Sequence, residues 1–170
     1  IGQNIKYDIK IFKKVGINLR CIDDTMLMSY TLHGGLHRHN MNTLSELYLN
    51  HEPIKIQSLL GTGKTAKTFD MVSINSAAPY AAEDADITLR LWLIFKQKLV
   101  RSNMTQVYES MERPMVELLA ELELKGITLD RELLSEMSNS LALRIAALET
   151  QIHTIANKKF NIGSPKQLGE

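Results

Sequence analysis

The longest regular pattern in the sequence is an apolar stripe from Leu134 through Met137, Leu141, Ile145, Leu148 and Ile152 to Ile155. Steps of three and four residues put all of these on one side of an α-helix. Asp130 stands where its side chain can cap the first turn. Roughly 28 residues at 1.5 Å rise give an arm about 40 Å long, more than a small core alone can cover. A second long helix is expected from Pro79, with Ile87, Leu91 and Ile94 as its apolar stripe. Asp86 and Arg90 pair one turn apart on another face of it. Long helices therefore dominate whatever this chain becomes.

The other elements are short. Ile1–Gln3 reads as the tail of a strand, and Asn18–Ile22 as a second strand. Between them Asn4 can cap a helix with Ile5, Ile9 and Phe12 at helical spacing, stopped by Gly16. Asp23-Asp24-Thr25 opens a helix through Tyr30, and Leu32–Asn40, with Gly34-Gly35, reads as loop. Thr43-Leu44-Ser45-Glu46 is a capping-box pattern beginning a helix that ends near Asn50. The stretch from Pro53 to Phe69 reads as a flexible basic loop. Val107, Met111, Met115, Leu118 and Leu122 are expected to be the packed face of a helix interrupted at Pro114 and ended by Gly126. Ser164-Pro165 starts a further helix. A boundary near Ser102 divides a mixed part, residues 1–102, from a purely helical one, residues 103–170. No internal repeat is apparent.

Composition narrows the function classes. A formal net charge of +1 excludes a polybasic tail as the main nucleic-acid device but leaves room for a local basic patch. The single cysteine, Cys21, excludes a disulfide framework or a multi-cysteine zinc site and fits a reducing, cytoplasmic compartment. Cys21 itself is expected to be a buried structural thiol. No apolar run is long enough to span a membrane, and no signal peptide is visible. The chain reads as an internal piece of something longer.

Two carboxylates attract notice. Tyr80 and Asp84 lie one turn apart on the face that continues as Ile87 and Leu91. A carboxylate on a core-facing stripe is costly unless paired, hydrogen-bonded or metal-bound. A buried Asp satisfied by backbone or arginine is one reading of Asp84; a functional carboxylate is the other. Glu83 and Asp86 flank it on faces expected to be solvated. Asp8 shares the face of Ile5 and Phe12, where it is either a macrodipole-favoured carboxylate near a helix N-terminus or a functional group. Gly61-Thr62-Gly63-Lys64-Thr65 looks like the end of a phosphate-binding loop, but Ser58 stands where that motif needs glycine. His33, His37 and His39 fall in a Gly-containing loop without helical i,i+4 spacing, so solvated side chains are favoured over a metal cluster.

Four segments in order resemble the proofreading 3′→5′ exonuclease domain of family A DNA polymerases, the bacterial DNA polymerase I group. They are Gln3-Asn4-Ile5-Lys6-Tyr7-Asp8, Asp24-Thr25-Met26-Leu27, Arg38-His39-Asn40-Met41 and Tyr80-Ala81-Ala82-Glu83-Asp84-Ala85-Asp86. Arg113-Pro114-Met115, Gly126-Ile127-Thr128-Leu129-Asp130, and Phe160-Asn161 with Ser164-Pro165-Lys166-Gln167-Leu168 are similar to the polymerase thumb of the same family. The resemblance implies an α+β, helix-rich fold. A truncated ribonuclease H-like exonuclease domain over 1–102 is followed by all-helical thumb segments over 103–170.

It also implies two-metal phosphodiester hydrolysis. By that likeness Asp84 is a direct ligand of Mg²⁺ (or Mn²⁺ or Zn²⁺), Asp8 holds the second ion, and Tyr80 orients the attacking water. Asn4, Tyr7 and Arg38 would contact a single-stranded 3′ end. Lys158, Lys159 and Lys166 would contact duplex phosphates. In the family two further acidic ligands come from an Asp-x-Glu strand that would precede Ile1, so the second metal site is expected to be incomplete and the piece inactive by itself. The partner implied is DNA, with no membrane and no obligate protein partner. A non-catalytic exonuclease-like scaffold is the alternative, and a helical interaction module built on Asp130–Lys159 a third.

Overall fold

A computed structural model describes residues 1–63 and 66–169. Lys64 and Thr65, the end of the phosphate-loop-like stretch, lie outside the described residues. The chain divides into two compact units, Ile1–Gly126 and Ile127–Glu170. The first unit reaches Gly126 because the helix ending at Lys125 packs against the first helix of the chain.

The first unit contains α1 (Ile5–Lys14), α2 (Thr25–His33), α3 (Met41–Leu49), α4 (Ile56–Leu60), α5 (Ile74–Arg101), α6 (Thr105–Val107) and α7 (Arg113–Lys125). A 3₁₀ turn covers Phe69–Met71, and a π turn, Tyr108–Glu112, joins α6 to α7. Among the described residues there is no strand. In place of the strands expected at Ile1–Gln3 and Asn18–Ile22 there is one parallel bridge, between Gly2 and Asp24. Cys21 adopts a positive φ of 55°, which breaks an extended run, and its thiol is exposed rather than buried.

Helix ends follow local chemistry, with some reassignments. Asn4 occupies the N-cap of α1 but is left-handed, φ 57°, and makes no side-chain cap. The first turn is capped instead by Asp24, whose carboxylate accepts from Asn4 N and Ile5 N, each at 3.0 Å. At the other end Gly16, φ +79°, closes a Schellman motif: Gly16 N donates to Lys13 O and Ile17 N to Phe12 O. For α3 the cap is Asn40, whose side chain accepts from Thr43 N at 2.9 Å, so the helix starts two residues before the Thr43 box. The expected basic loop contains α4, and the 3₁₀ turn begins at its last residue, Phe69. Helix α5 begins at Ile74, so Pro79 lies inside it as the sixth residue and leaves the Asn75 carbonyl without its i+4 donor.

Two clusters form the core. In one, Ile87, Leu91, Phe95 and Leu99 of α5 meet Met28, Leu44 and Tyr108. In the other, Ile5 and Ile9 of α1 pack with Ile22, Val116 and Ala120. The expected packed face of α7 is therefore displaced: Met111, Met115, Leu118 and Leu122 are 44–62% exposed, whereas Val116 and Ala120 are buried. The π turn inserts extra backbone ahead of Pro114, which has no N–H to give an i−4 carbonyl, and so rotates the downstream face. Lys6 and Lys10 pair with Glu123 and Lys13 with Glu121, all at the surface of the α1–α7 contact.

In the second unit α8 (Arg131–Ala156) begins as expected, with Asp130 accepting from Leu133 N at 3.0 Å. Its 26 residues span about 39 Å. None of its residues is buried, and Leu134, Met137, Leu141, Ile145 and Leu148 remain roughly half exposed. Asn157, φ 51°, ends the helix, and His153 Nε2 meets Phe160 O at 2.9 Å. α9 (Pro165–Gly169) starts at Ser164, whose hydroxyl accepts from Gln167 N. No described helix is long and apolar enough to cross a membrane.

Candidate active site

Helix α5 runs past the N-terminal end of α1, and this juxtaposition makes a cleft of about 450 Å³. Asp84 lines it from α5 and Asp8 from α1, together with Gly2, Gln3, Met41 and Thr88. Neither carboxylate has an ion-pair partner among the described residues, although lysines and arginines pair elsewhere. Burial pushes the carboxyls of both above the usual aspartate range. For Asp84 a hydrogen bond from Tyr80 pulls the other way, and nearby Glu83 adds to the rise. The Tyr80 hydroxyl is in turn held protonated by burial and by the Asp84 charge. Its ring leans on Phe69, centroids 6.1 Å apart. Asp84 is half-buried and Asp8 exposed, so the cleft is open to solvent on the Asp8 side.

Donor chemistry fits a hard divalent cation. Two carboxylates without a resident cation suit an ion of the magnesium class, which keeps several waters and takes only one or two protein carboxylates beside substrate phosphates. No group of three or more His, Cys, Asp or Glu side chains suited to a metal occurs among the described residues.

The remaining expected contacts scatter. Tyr7 is 61% exposed on α1, and Asn4 faces a different, apolar hollow with Met26, Met111 and Met115. Arg38 is exposed, and the neighbouring His39 is anchored toward the cleft. Gln3 Nε2 donates to His39 O at 2.8 Å, and His39 Nδ1 meets the buried Ser29 hydroxyl at 2.9 Å. Lys158 and Lys159 are exposed at the end of α8 and Lys166 on α9, in the second unit.

Sequence reasoning missed three features. Glu83 is not solvated: it accepts from Ile54 N and contacts His51 Nε2, both at 2.7 Å, pinning the segment after α3 to α5. Asp24 caps α1 as well as α2, where it accepts from Met26 N at 2.9 Å. The histidine loop is not fully solvated either. His33 stacks on Tyr48, ring centroids 6.1 Å apart, and His37 packs between His33 and His39. Asp23-Asp24 at a helix start was a visible capping signal; the His33–Tyr48 stack and the Glu83 contacts join residues far apart in sequence and had none.

A sequence model of the family described as 3′-5′ exonuclease matches residues 1–100, more than half of the chain and all of the cleft. The chain belongs to this 3′-5′ exonuclease family. Among curated relatives, DNA polymerase I of Rhizobium leguminosarum is 51% identical over all 170 residues, and that of Pseudomonas aeruginosa 42% identical over 99% of the chain. DNA polymerase I of Borreliella burgdorferi is 35% identical over the full chain. The chain spans 17%, 19% and 18% of these relatives' lengths. In fold it is similar to the POL domain of Pol1 from M. smegmatis, solved in complex with DNA primer-template and dNTP. That likeness has a TM-score of 0.77 at 24% identity and covers 98% of this chain and 26% of that one. The exonuclease match includes every residue of the Asp8–Asp84 cleft, while the likeness to polymerase I continues through α7, α8 and α9.

Proposed function

We propose that the chain is part of a bacterial DNA polymerase I, that its Asp8–Asp84 cleft is the proofreading 3′→5′ exonuclease centre, and that residues 103–170 are thumb helices. The observation that carries this reading is the cleft: an aspartate from α1 and one from α5 face the same space, and neither is paired with a cation among the described residues. In this reading residues 1–102 form a ribonuclease H-like exonuclease domain of α+β type, acting in the cytoplasm. A bound divalent ion, Mg²⁺ or a substitute such as Mn²⁺ or Zn²⁺, supplies water activation and charge stabilisation on the leaving 3′ oxygen.

The chain's own residues do the rest. Asp84 and Asp8 hold the ions. Tyr80, hydrogen-bonded to Asp84, orients the attacking water. Arg38, with Asn4 and Tyr7, holds the single-stranded 3′ end, and His39 fixes the Arg38 loop to Gln3 at the cleft wall. Lys158, Lys159 and Lys166 contact duplex phosphates, which positions DNA without reading its sequence.

A calorimetric titration of the chain with Mn²⁺ tests the site. Saturable binding that Asp84→Ala abolishes and Asp8→Ala weakens is expected; equal binding by all three proteins would refute the assignment.

A further inference from the structure

Asp24 is 2% exposed, and its carboxylate has no cationic partner among the described residues. Such a group is tolerated only when donors converge on it. Here Asn4 N, Ile5 N and Met26 N do so, and the N-terminal ends of two helices face the charge. Asp24 therefore fixes where α1 starts, and Asp8 follows one turn later.

Two sets of contacts fix Asp24: the parallel bridge, in which Gly2 N donates to Asp23 O and Thr25 N to Gly2 O, each at 2.9 Å, and the buried Tyr108. The Tyr108 hydroxyl accepts from Asp24 N at 2.9 Å and donates to Asp23 Oδ1 at 3.1 Å. The other Asp23 oxygen accepts from Trp92 Nε1 of α5 at 2.8 Å. Tyr108 is 1% exposed and opens the π turn, a feature often found at functional sites. It lies outside the matched exonuclease residues 1–100. Its ring fills the core between Met28, Phe95 and Leu99, yet its hydroxyl serves only the Asp23-Asp24 clip.

We propose that Tyr108 is a positioning residue for Asp8, acting through Asp24, so that the helical segment after α5 sets the register of the carboxylate-bearing helix α1. The catalytic consequence rests on the exonuclease reading above; the mechanical coupling does not.

Tyr108→Phe removes one oxygen and keeps the ring. Amide exchange in the 170-residue chain is read by NMR at Asn4 and Ile5, with Leu91 and Phe95 in the same molecule as reference. Loss of a hydrogen bond worth about a factor of ten predicts exchange about tenfold faster at Asn4 and Ile5, with the α5 amides unchanged. In the polymerase-length protein, kcat for release of a 3′ nucleotide should fall about tenfold while KM for single-stranded DNA stays within about twofold. Unchanged exchange at Asn4 and Ile5, or an equal rise in α5, overturns the coupling. Should the wild type release no nucleotide, the exonuclease reading fails and the exchange result alone decides the coupling. If Tyr108→Phe unfolds the chain, Trp92→Phe, which strips the indole donor from Asp23 and leaves its Arg113 ion pair in place, must still speed exchange at Asn4 and Ile5 about threefold; no change there overturns it.

Discussion

Asp8 on α1 and Asp84 on α5 line one cleft, and neither is paired with a cation among the described residues. Both carboxyls are raised by burial, so each favours its protonated form in the folded protein. A raised carboxylate contributes stability below its unfolded value, near 3.9, and loses it as pH rises through the folded value. At neutral pH, without metal, the two ionised groups therefore cost stability. Asp84→Asn should raise the Tm by about 1–3 °C, screening by solvent included. Mg²⁺ should raise the Tm of the wild type and leave that of the variant unmoved. Thermal melts with and without Mg²⁺ check both.

Tyr80 pulls the Asp84 carboxyl down against burial. Tyr80→Phe removes that pull, so Asp84 titrates higher and the acid limb of the exonuclease pH profile moves to higher pH. Losing a hydrogen bond to a charged group costs about 1.5–3 kcal/mol, a fall of about 10- to 150-fold in rate. Steady-state kinetics from pH 5 to 9 would show it; an unshifted acid limb would separate Tyr80 from Asp84.

The rings of His33, His37, His39 and Tyr48 pack together, and His33 Nε2 has no hydrogen-bond partner among the described residues. Burial, then nearby Lys98 and His37, hold the His33 imidazole below its ordinary range, and burial with His37 does the same for His39. Neutral rings are thus favoured in the folded state. Their contribution is complete above the unfolded value near 6.5 and is lost as pH falls from there through the depressed folded values. The Tm should drop between pH 7.5 and 5, and less steeply in His33→Asn.

Phe95 is fully buried and meets Tyr48 edge-on, centroids 4.9 Å apart. Leu93, two residues earlier, is 50% exposed. Phe95→Ala should cost about 3–5 kcal/mol, and Leu93→Ala stay within about 0.5–1 kcal/mol. Denaturant unfolding distinguishes the two; equal costs would contradict the core assignment.

If Lys158, Lys159 and Lys166 each neutralise a phosphate, replacing all three with alanine lowers the slope of log affinity against log salt by up to about 3. Affinity should fall similarly for unrelated duplex sequences. A slope unchanged across salt concentrations would remove these lysines from the DNA interface.

Where structure depended on neighbours in sequence, the sequence disclosed it. Asp130 and the stripe behind it define α8, Ser164 opens α9, and Asp23-Asp24 opens α2. The α7 face was not legible, because the π turn that holds Met111 shifts the helix face there and beyond, leaving Met115 and Leu118 exposed beside buried Val116 and Ala120. Strand-like Asn18–Ile22 misled for another reason: Leu19 and Ile22 suit a strand, but Cys21 is left-handed, and among the described residues no partner strand pairs with it. Of the candidate site, spacing alone singled out Asp84 as an ill-placed carboxylate. That Asp8 shares its cleft depends on how α1 is clipped by Asp24, a contact between residues too far apart for periodicity to reveal.

The most direct test of the exonuclease assignment uses the polymerase-length protein, 3′-labelled single-stranded DNA and Mg²⁺, with Asp84→Ala run alongside. Label release by the wild type that is reduced at least about 100-fold in the variant is the predicted result. Release that persists in Asp84→Ala, or no release from a folded wild type, would contradict the account; the second result would leave the domain as a scaffold holding the polymerase on DNA.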